Sequence, residues 1–235
     1  MIKLFHKASW FVILFILLTL PEVHAQKTPN QLLGSVYRKM TGIRDYTVEA
    51  SIRADIPLIK ILPVHAVIYF KQPDKFTIKS KSIAIMPKQG FSDIARIIRD
   101  STTYTAVLTG TEIIEKATAS MISVIPAVDS GDLVLAKFWI DGSANLVLKS
   151  QLTTRSSGTI LIEYFYGSEA GRGLPDKMIF TVDVKKFKIP KAIATDLNTP
   201  GNDPKTKTKS SKKGVILISL KNYKINTGLK DELFK

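Results

Sequence analysis

The sequence predicts a mainly β protein with α-helical additions, built around one long antiparallel sheet. Apolar and polar residues alternate with a period of two from Tyr46 to Asp55 and again in many later segments. Turn-forming pairs follow several of these segments, at Gly110-Thr111, Asp141-Gly142 and Ser157-Gly158. Only two helical segments stand out, which leaves no room for a series of βαβ units. The pattern therefore favours an antiparallel meander, closed or partly closed.

The first 25 residues predict export. Lys3 and Lys7 accompany an apolar run over residues 10–20, Pro21 breaks the run, and Ala25 ends a stretch typical of a signal-peptidase site. We expect a cleaved signal peptide over residues 1–25, with cleavage after Ala25. The run is eleven residues long, whereas a membrane-spanning helix needs roughly twenty. An uncleaved membrane anchor is the alternative.

Residues 26–235 are long enough for a single domain with a hydrophobic core. The chain contains no cysteine, which excludes disulfides, thiolate metal sites and thiol nucleophiles. For the same reason we expect no lipid anchor at the N-terminus of the exported chain. Stability must then come from packing.

The exported chain is strongly basic, because removing Lys3, Lys7 and Glu22 changes the net charge only from +14 to +13. Such a chain is attracted to polyanions, and export favours anionic lipid headgroups over nucleic acid. The alternative is that the charge only keeps a β protein soluble. We expect residues 195–213 to form a mobile surface loop. A second interpretation is that this loop contacts an anionic membrane surface through its cations Lys205, Lys207, Lys209, Lys212 and Lys213.

The first predicted helix begins at Thr28-Pro29, where Gln31 completes a capping box, and ends at Gly42. Its apolar stripe consists of Leu32, Leu33, Val36, Tyr37 and Met40. A turn at Pro73-Asp74 separates the second and third strands. The strands are predicted at residues 46–55, 62–71, 75–82, 102–109, 112–125, 133–141, 145–154, 159–166, 177–184 and 214–225.

Residues 83–100 interrupt the meander with a second, shorter helix. Ser92 and Asp93 can cap it, and Ile94, Ile97 and Ile98 share one face. The two helices are too short to cover so long a sheet, so a curled sheet with a helix across its mouth would keep an apolar interior only partly filled by protein. Such a cavity would bind small apolar ligands. A fully packed core without ligand is the alternative.

Several short motifs follow one another in an order that resembles a known family. After the capped helix and the strand at 46–55 come VIYFKQPDKF at 67–76, PKQG at 87–90, FWID at 138–141, EYFY at 163–166, LP at 174–175, VILI at 215–218, YKIN at 223–226 and LF at 233–234. This order resembles the LolA-type periplasmic lipoprotein carriers and the wider LolA-like superfamily of outer-membrane lipoprotein-sorting proteins. The resemblance covers nearly all of residues 26–235.

The resemblance implies a half-open antiparallel β-barrel with an N-terminal helix and a short lid helix, whose apolar cavity shelters acyl chains in the periplasm. Carriers of this kind accept lipoproteins from an inner-membrane ABC transporter and pass them to an outer-membrane acceptor. No bond is broken, so we expect no enzyme activity and no cofactor, and we expect a monomer. In such carriers an Arg before the Pro that ends the second strand helps to hold the lid. Here Gln72 stands at that position, and Arg44, Arg96 or Arg99 could take the role.

The candidate cavity residues follow from alternation. Each of the first three strands contributes one set of candidates, and the lid segment contributes another. The last set comes from the strand at 133–141, where we expect Val134 and Ala136 on the same face as Phe138 and Ile140. For each residue, ordinary core packing is the alternative to ligand contact. The ligand-binding candidates are Tyr46, Val48, Ala50, Ile52, Ala66, Ile68, Phe70, Phe76, Ile78, Met86, Phe91, Ile94, Ile97, Ile98, Phe138 and Ile140.

Other polar residues favour structural roles. His65 is the only histidine after residue 25 and has no second ligand or nucleophile near it in the sequence, so a partly buried structural histidine is expected. Gly171-Arg172-Gly173 is too short for a phosphate-binding loop. Asp93 and Asp100 form no acid–base pair, and no catalytic or metal-binding residue is predicted.

The sequence supports three hypotheses about function. The first is a periplasmic carrier that binds the acyl chains of lipoproteins and moves them toward the outer membrane. The second is an envelope sensor or regulator with the same fold that does not transport. The third is a structural β domain that interacts through its basic loop. Bound lipid in the purified protein would separate the first two from the third.

Overall fold

The computed structural model describes residues 27–57, 62–82, 93–127, 131–183 and 213–234. The predicted signal peptide, Met86, Phe91 and most of the basic loop at 195–213 lie outside these ranges. Among the described residues, no helix has the length and hydropathy needed to cross a membrane.

The described chain contains two α-helices and ten β-strands. The helices are α1 (Pro29–Thr41) and α2 (Asp93–Ile97). The strands are β1 (Asp45–Asp55), β2 (Val64–Lys71), β3 (Lys75–Ser80), β4 (Tyr104–Ile114), β5 (Ala117–Pro126), β6 (Leu133–Asp141), β7 (Leu146–Thr154), β8 (Gly158–Phe165), β9 (Lys177–Asp183) and β10 (Lys213–Ile225). Short 3₁₀ turns cover Ser101–Thr103, Ala170–Arg172 and Asp231–Phe234.

All ten strands form one antiparallel sheet in the order β3-β2-β1-β10-β9-β8-β7-β6-β5-β4. The last strand, β10, lies between β1 and β9 and so joins two meanders into one sheet. The edge strands β3 and β4 do not pair with each other, so the barrel is not closed. This is the predicted half-open antiparallel barrel.

One face of the sheet carries the core. Alternate residues of β1 are buried, and the same alternation recurs on β2, β6, β8, β9 and β10. The stripe Leu32, Leu33 and Val36 of α1 is buried in the same cluster. The helix passes close to the β6–β7 turn, because a Cβ atom added to Gly142 would stand 3.1 Å from Leu32 Cδ2.

The start of α1 follows its sequence signal. Thr28 Oγ1 accepts a hydrogen bond from the Gln31 backbone N–H at 3.3 Å, and Gln31 Oε1 accepts one from the Thr28 N–H at 2.9 Å. This is the predicted capping box. The helix ends at Thr41, with Gly42 as its C-cap.

The expected turn at Gly110-Thr111 is wrong. The strand β4 continues to Ile114, and the hairpin turns at Glu115 and Lys116. Gly110 has φ of +145° and lies where the β4–β5 register shifts, so it forms a bulge inside the strand. A glycine within an alternating segment is compatible with a bulge as well as with a turn. The other predicted strands differ from the observed ones by a few residues at most.

The end of the chain is fixed to β1 by a buried carboxylate. Asp45 is buried, and its Oδ1 accepts hydrogen bonds from the Thr227 N–H at 2.8 Å and the Gly228 N–H at 3.2 Å. Farther along, Asp231 forms ion pairs with Lys71 and Lys75 at 2.7 and 2.8 Å. These two ammonium groups lower the pKa of the Asp231 carboxyl to about 2. The contacts hold the last residues against β1, β2 and β3.

Candidate functional site

A cavity of about 120 Å³ lies at the end of the barrel where α1 ends and β1 begins. Its wall is contributed by both helices and by strands from both meanders. Most lining side chains are apolar or aromatic, including Val36, Tyr37, Met40, Ile43, Tyr46, Phe70, Ile94, Leu146, Val147, Tyr164, Tyr166, Leu174, Met178 and Tyr223. A pocket of this composition suits an apolar ligand held by a few polar groups.

Strand register builds the aromatic wall of the cavity. Tyr46 is paired with Phe70 across β1 and β2, and the two rings stack with their centroids 5.1 Å apart. Tyr223 of β10 packs edge-on against Tyr46 at 5.6 Å. Cross-strand aromatic pairs of this kind stabilise a sheet. Here the three rings also form part of the cavity wall.

Three tyrosine hydroxyls of the wall are used within the protein. Tyr166 donates to the Val147 carbonyl oxygen and Tyr223 to the Pro175 carbonyl oxygen, each at 2.8 Å. The Tyr164 hydroxyl is 3.0 Å from the Ser150 hydroxyl. Burial raises the pKa of Tyr166 and of Tyr223 far above the usual range, because it disfavours the phenolate. Both phenols therefore remain protonated donors at neutral pH.

Gln72 lines the cavity, and its side chain holds the end of α1. Its Nε2 donates to the carbonyl oxygens of Thr41 at 3.0 Å and Ile43 at 2.6 Å. The Thr41 carbonyl belongs to the last turn of α1 and lacks a helical partner, and Ile43 follows the helix. A role of Gln72 in holding the lid stays a prediction, while its amide nitrogen is bound to the α1–β1 junction.

The predicted lid helix α2 covers one side of the cavity. Ile94 and Ile98 are each 3% exposed, and the half-buried Ile97 packs against the same core. Of the three arginines proposed for holding the lid, Arg99 lines the cavity, whereas Arg44 and Arg96 have exposed side chains and are not part of its wall. A short helix with buried isoleucines can expose an apolar face when it moves away.

The structure brings only part of the predicted set to the cavity. Tyr46, Phe70 and Ile94 line it. The remaining described candidates pack against other side chains of the core, and their contact with a ligand stays a prediction: Val48, Ala50, Ile52, Ala66, Ile68, Phe76, Ile78, Ile97, Ile98, Phe138 and Ile140. Ala136 belongs to that core too, but the expected position of Val134 is wrong, since it is 45% exposed.

Sequence reasoning missed most of the cavity wall. The missed residues include Tyr164, Tyr166, Met178 and Tyr223, which come from β8, the residues after it, β9 and β10. The run of aromatic residues at 164–166 was a usable signal, because aromatic side chains at a strand end frequently line an adjoining space. These residues are far from Tyr46 in the sequence, so no local pattern indicates that they line the same cavity.

Two polar expectations have clear outcomes. His65 is exposed on β2, which corrects the expected partial burial, because its neighbours Val64 and Ala66 occupy the buried positions of the alternation. Arg172 and Gly173 lie at the end of a 3₁₀ turn, as expected of a loop, with Gly173 at φ of +74°. Among the described residues, no three His, Asp or Glu side chains cluster as a metal site would require.

The described molecule is a half-open antiparallel β-barrel with a helix packed in its concave face and an apolar cavity at one end. No protein-family model matches the chain, and no curated protein sequence does. Solved structures do match. A LolA superfamily protein from Nitrosomonas europaea has a TM-score of 0.57 at 13% identity, over 89% of this chain and 98% of that one.

Two further structures give the same result. A putative outer membrane lipoprotein-sorting protein domain from Vibrio parahaemolyticus has a TM-score of 0.58 at 9% identity, over 88% of this chain and 96% of that one. A DUF1329 family protein from Desulfovibrio piger has a TM-score of 0.52 at 12% identity, over 89% and 98%. The chain therefore has a LolA-like fold.

Proposed function

We propose that this protein is a periplasmic carrier that binds acyl chains of lipoproteins or other lipids and moves them toward the outer membrane. The observation that carries the proposal is an apolar cavity covered by the short helix α2 in a LolA-like barrel. The process needs no bond to be broken, so the proposal includes no catalytic residue and no cofactor.

The small size of the cavity supports movement of α2 when a chain binds. A closed apolar cavity of about 150 Å³ takes up one benzene molecule, and the present cavity is about 120 Å³. It therefore holds only a few carbon atoms of an acyl chain. The rest of the chain is proposed to occupy space that Ile94 and the neighbouring Ile98 now fill.

The free energy of acyl burial is large enough to open the lid. Exposing a buried isoleucine costs roughly 1.5–3 kcal/mol, so Ile94 and Ile98 together account for roughly 3–6 kcal/mol. Burying one methylene group of the acyl chain contributes about 0.8 kcal/mol of favourable free energy. About four to eight methylenes then offset the cost, and a lipid acyl chain of about 16 carbons exceeds it.

The cellular setting is part of the proposal. The predicted signal peptide supports export, and one solved structure of this fold is described as a lipoprotein-sorting domain. Partners of the kind proposed are an inner-membrane ABC transporter that supplies the lipoprotein and an outer-membrane acceptor that receives it. The basic residues 205–213 are proposed to contact anionic lipid headgroups near either membrane.

Purification from the native envelope tests the proposal. The protein is extracted with organic solvent, and lipids and acylated proteins are measured by mass spectrometry against a mock purification. Near-stoichiometric lipid or acylated protein is expected, and its absence would favour a structural β domain. Depletion then separates a carrier from a sensor, because only loss of a carrier strands lipoproteins at the inner membrane.

A further inference from the structure

The hydroxyl of Tyr46 has no hydrogen-bond partner among the described residues. Its side chain is 6% exposed and lines the cavity. The three neighbouring tyrosines Tyr164, Tyr166 and Tyr223 all use their hydroxyls in hydrogen bonds. Every fully enclosed side-chain N or O atom in the described ranges has a partner. The hydroxyl of Tyr46 therefore faces space in the cavity and not packed protein.

This hydroxyl can donate a hydrogen bond to a ligand. Burial raises the pKa of Tyr46 far above its usual range, so the group stays protonated at neutral pH. The hydroxyl reaches the cavity and can hydrogen-bond water there. A ligand that displaces this water keeps the hydroxyl hydrogen-bonded only if the ligand brings an acceptor. A purely hydrocarbon ligand would leave the hydroxyl without a partner.

A second polar group stands at the same cavity. Arg99 follows α2, lines the cavity and has an exposed side chain. It forms no ion pair with another described residue. Two other cations line the cavity, but Lys39 donates to the Ala144 carbonyl oxygen and Arg172 pairs with Glu169. Of the cations in the described lining, Arg99 is thus the one left for a ligand.

We propose that the acyl carbonyl oxygen of the ligand accepts a hydrogen bond from Tyr46, with Arg99 near the polar end of the same ligand. This inference rests on the proposed acyl-binding function and adds its ligand class: chains that carry a carbonyl, in preference to plain hydrocarbon. A free fatty acid and the ester or amide of a lipid share that carbonyl. A carboxylate would also attract Arg99, whereas an ester would not.

The test compares three probes in the full chain without residues 1–25. Dodecanoic acid, methyl dodecanoate and dodecane each displace a fluorescent fatty acid analogue from the wild type and from Tyr46→Phe. Loss of one hydrogen bond to the carbonyl weakens binding by about tenfold. We expect that loss for the acid and the ester in Tyr46→Phe, with dodecane affinity unchanged or higher. Tyr69→Phe, on the neighbouring strand and outside the cavity wall, is the matched control.

The outcomes separate this inference from the proposed function. Equal effects of Tyr46→Phe on all three probes, or no effect, would overturn the role of Tyr46 while acyl binding stands. No binding of any probe to the wild type would overturn both. In another outcome, dodecanoic acid binds the wild type more tightly than methyl dodecanoate does, and this difference is lost in Arg99→Gln. That result identifies the free fatty acid as the preferred source of the carbonyl. Equal binding of the acid and the ester would overturn the role of Arg99.

Discussion

Gln72 fastens the end of the N-terminal helix to the sheet through Ile43, whose carbonyl oxygen accepts a hydrogen bond from Gln72 Nε2 at 2.6 Å. The same nitrogen donates to Thr41. The Gln72 backbone N–H donates to the Arg44 carbonyl oxygen at 2.8 Å. The turn between β2 and β3 and the turn between α1 and β1 therefore form one unit at the cavity mouth.

Replacing Gln72 should destabilise this unit. Gln72→Ala removes two hydrogen bonds and is expected to lower the free energy of unfolding by about 1–2 kcal/mol. Gln72→Glu should cost more, because a carboxylate would face two carbonyl oxygens. Urea unfolding measures both. Gln151→Ala, a half-buried glutamine on β7, is the control, and an equal loss there would contradict the assignment.

The lid prediction concerns Ile94. Ile94→Asp places a carboxylate at a position that is 3% exposed, so α2 should leave the core and binding of a fluorescent fatty acid should weaken at least about tenfold. The β signal in far-UV circular dichroism should persist, because α2 pairs with no strand.

A matched substitution controls for the added charge. Ile113 is 75% exposed on β4, so Ile113→Asp should change neither affinity nor fold. If Ile94→Asp also loses the β signal, the milder Ile94→Ala separates binding from folding. Unchanged affinity in a folded Ile94 variant would place the acyl site elsewhere.

The clamp between β1 and the chain end depends on Asp45. Asp45→Asn replaces an acceptor by an N–H donor opposite the backbone N–H of Thr227 or Gly228, with an expected loss of about 1–3 kcal/mol in unfolding free energy. Amide hydrogen exchange of residues 226–234 should increase as well. Asp55→Asn, exposed at the other end of the same strand, should show neither effect.

The buried tyrosines predict an alkaline limit of stability. Burial raises the pKa of Tyr46, Tyr166 and Tyr223 in the folded state above the ordinary value near 10. Because these pKa values are raised, their stabilising contribution is complete below pH 10 and is lost as the pH rises above it.

Spectrophotometric titration checks whether this contribution to stability is lost above pH 10. Of the seven tyrosines in the chain, fewer should ionise near pH 10 in the native protein than in guanidinium chloride, and the missing fraction should ionise together with unfolding. Native and denatured curves that coincide would show that the three side chains are not buried in solution.

The fold was predictable because its signals are local. The capping box of Thr28 and Gln31 and the alternation in Tyr46–Asp55 both act within a few residues, and both are present in the structure. Gly110 shows the limit, since a bulge and a turn favour the same glycine. Which one forms depends on whether the partner strand β5 continues to pair beyond it.

The candidate site was predictable only in part. Alternation places Tyr46, Val48 and Ala50 on one face of β1, but it does not say where along that face protein side chains fill the space. Val48 and Ala50 are buried in packed core, while Tyr46 borders a cavity. The difference arises from Tyr223 and Met178, which approach through the pairing of β10 with β1 and β9.

The sequence by itself determined the antiparallel β class, the capped first helix and the buried isoleucine face of the lid, because hydrophobic periodicity and capping depend on neighbouring residues. Only the tertiary structure decided the position of the cavity, the hydrogen bonds of Gln72 and the unpartnered hydroxyl of Tyr46. Those depend on the insertion of β10 between β1 and β9, which brings residues more than a hundred positions apart into contact. Packing across such distances depends on the volumes of many side chains together, and no short segment contains that information.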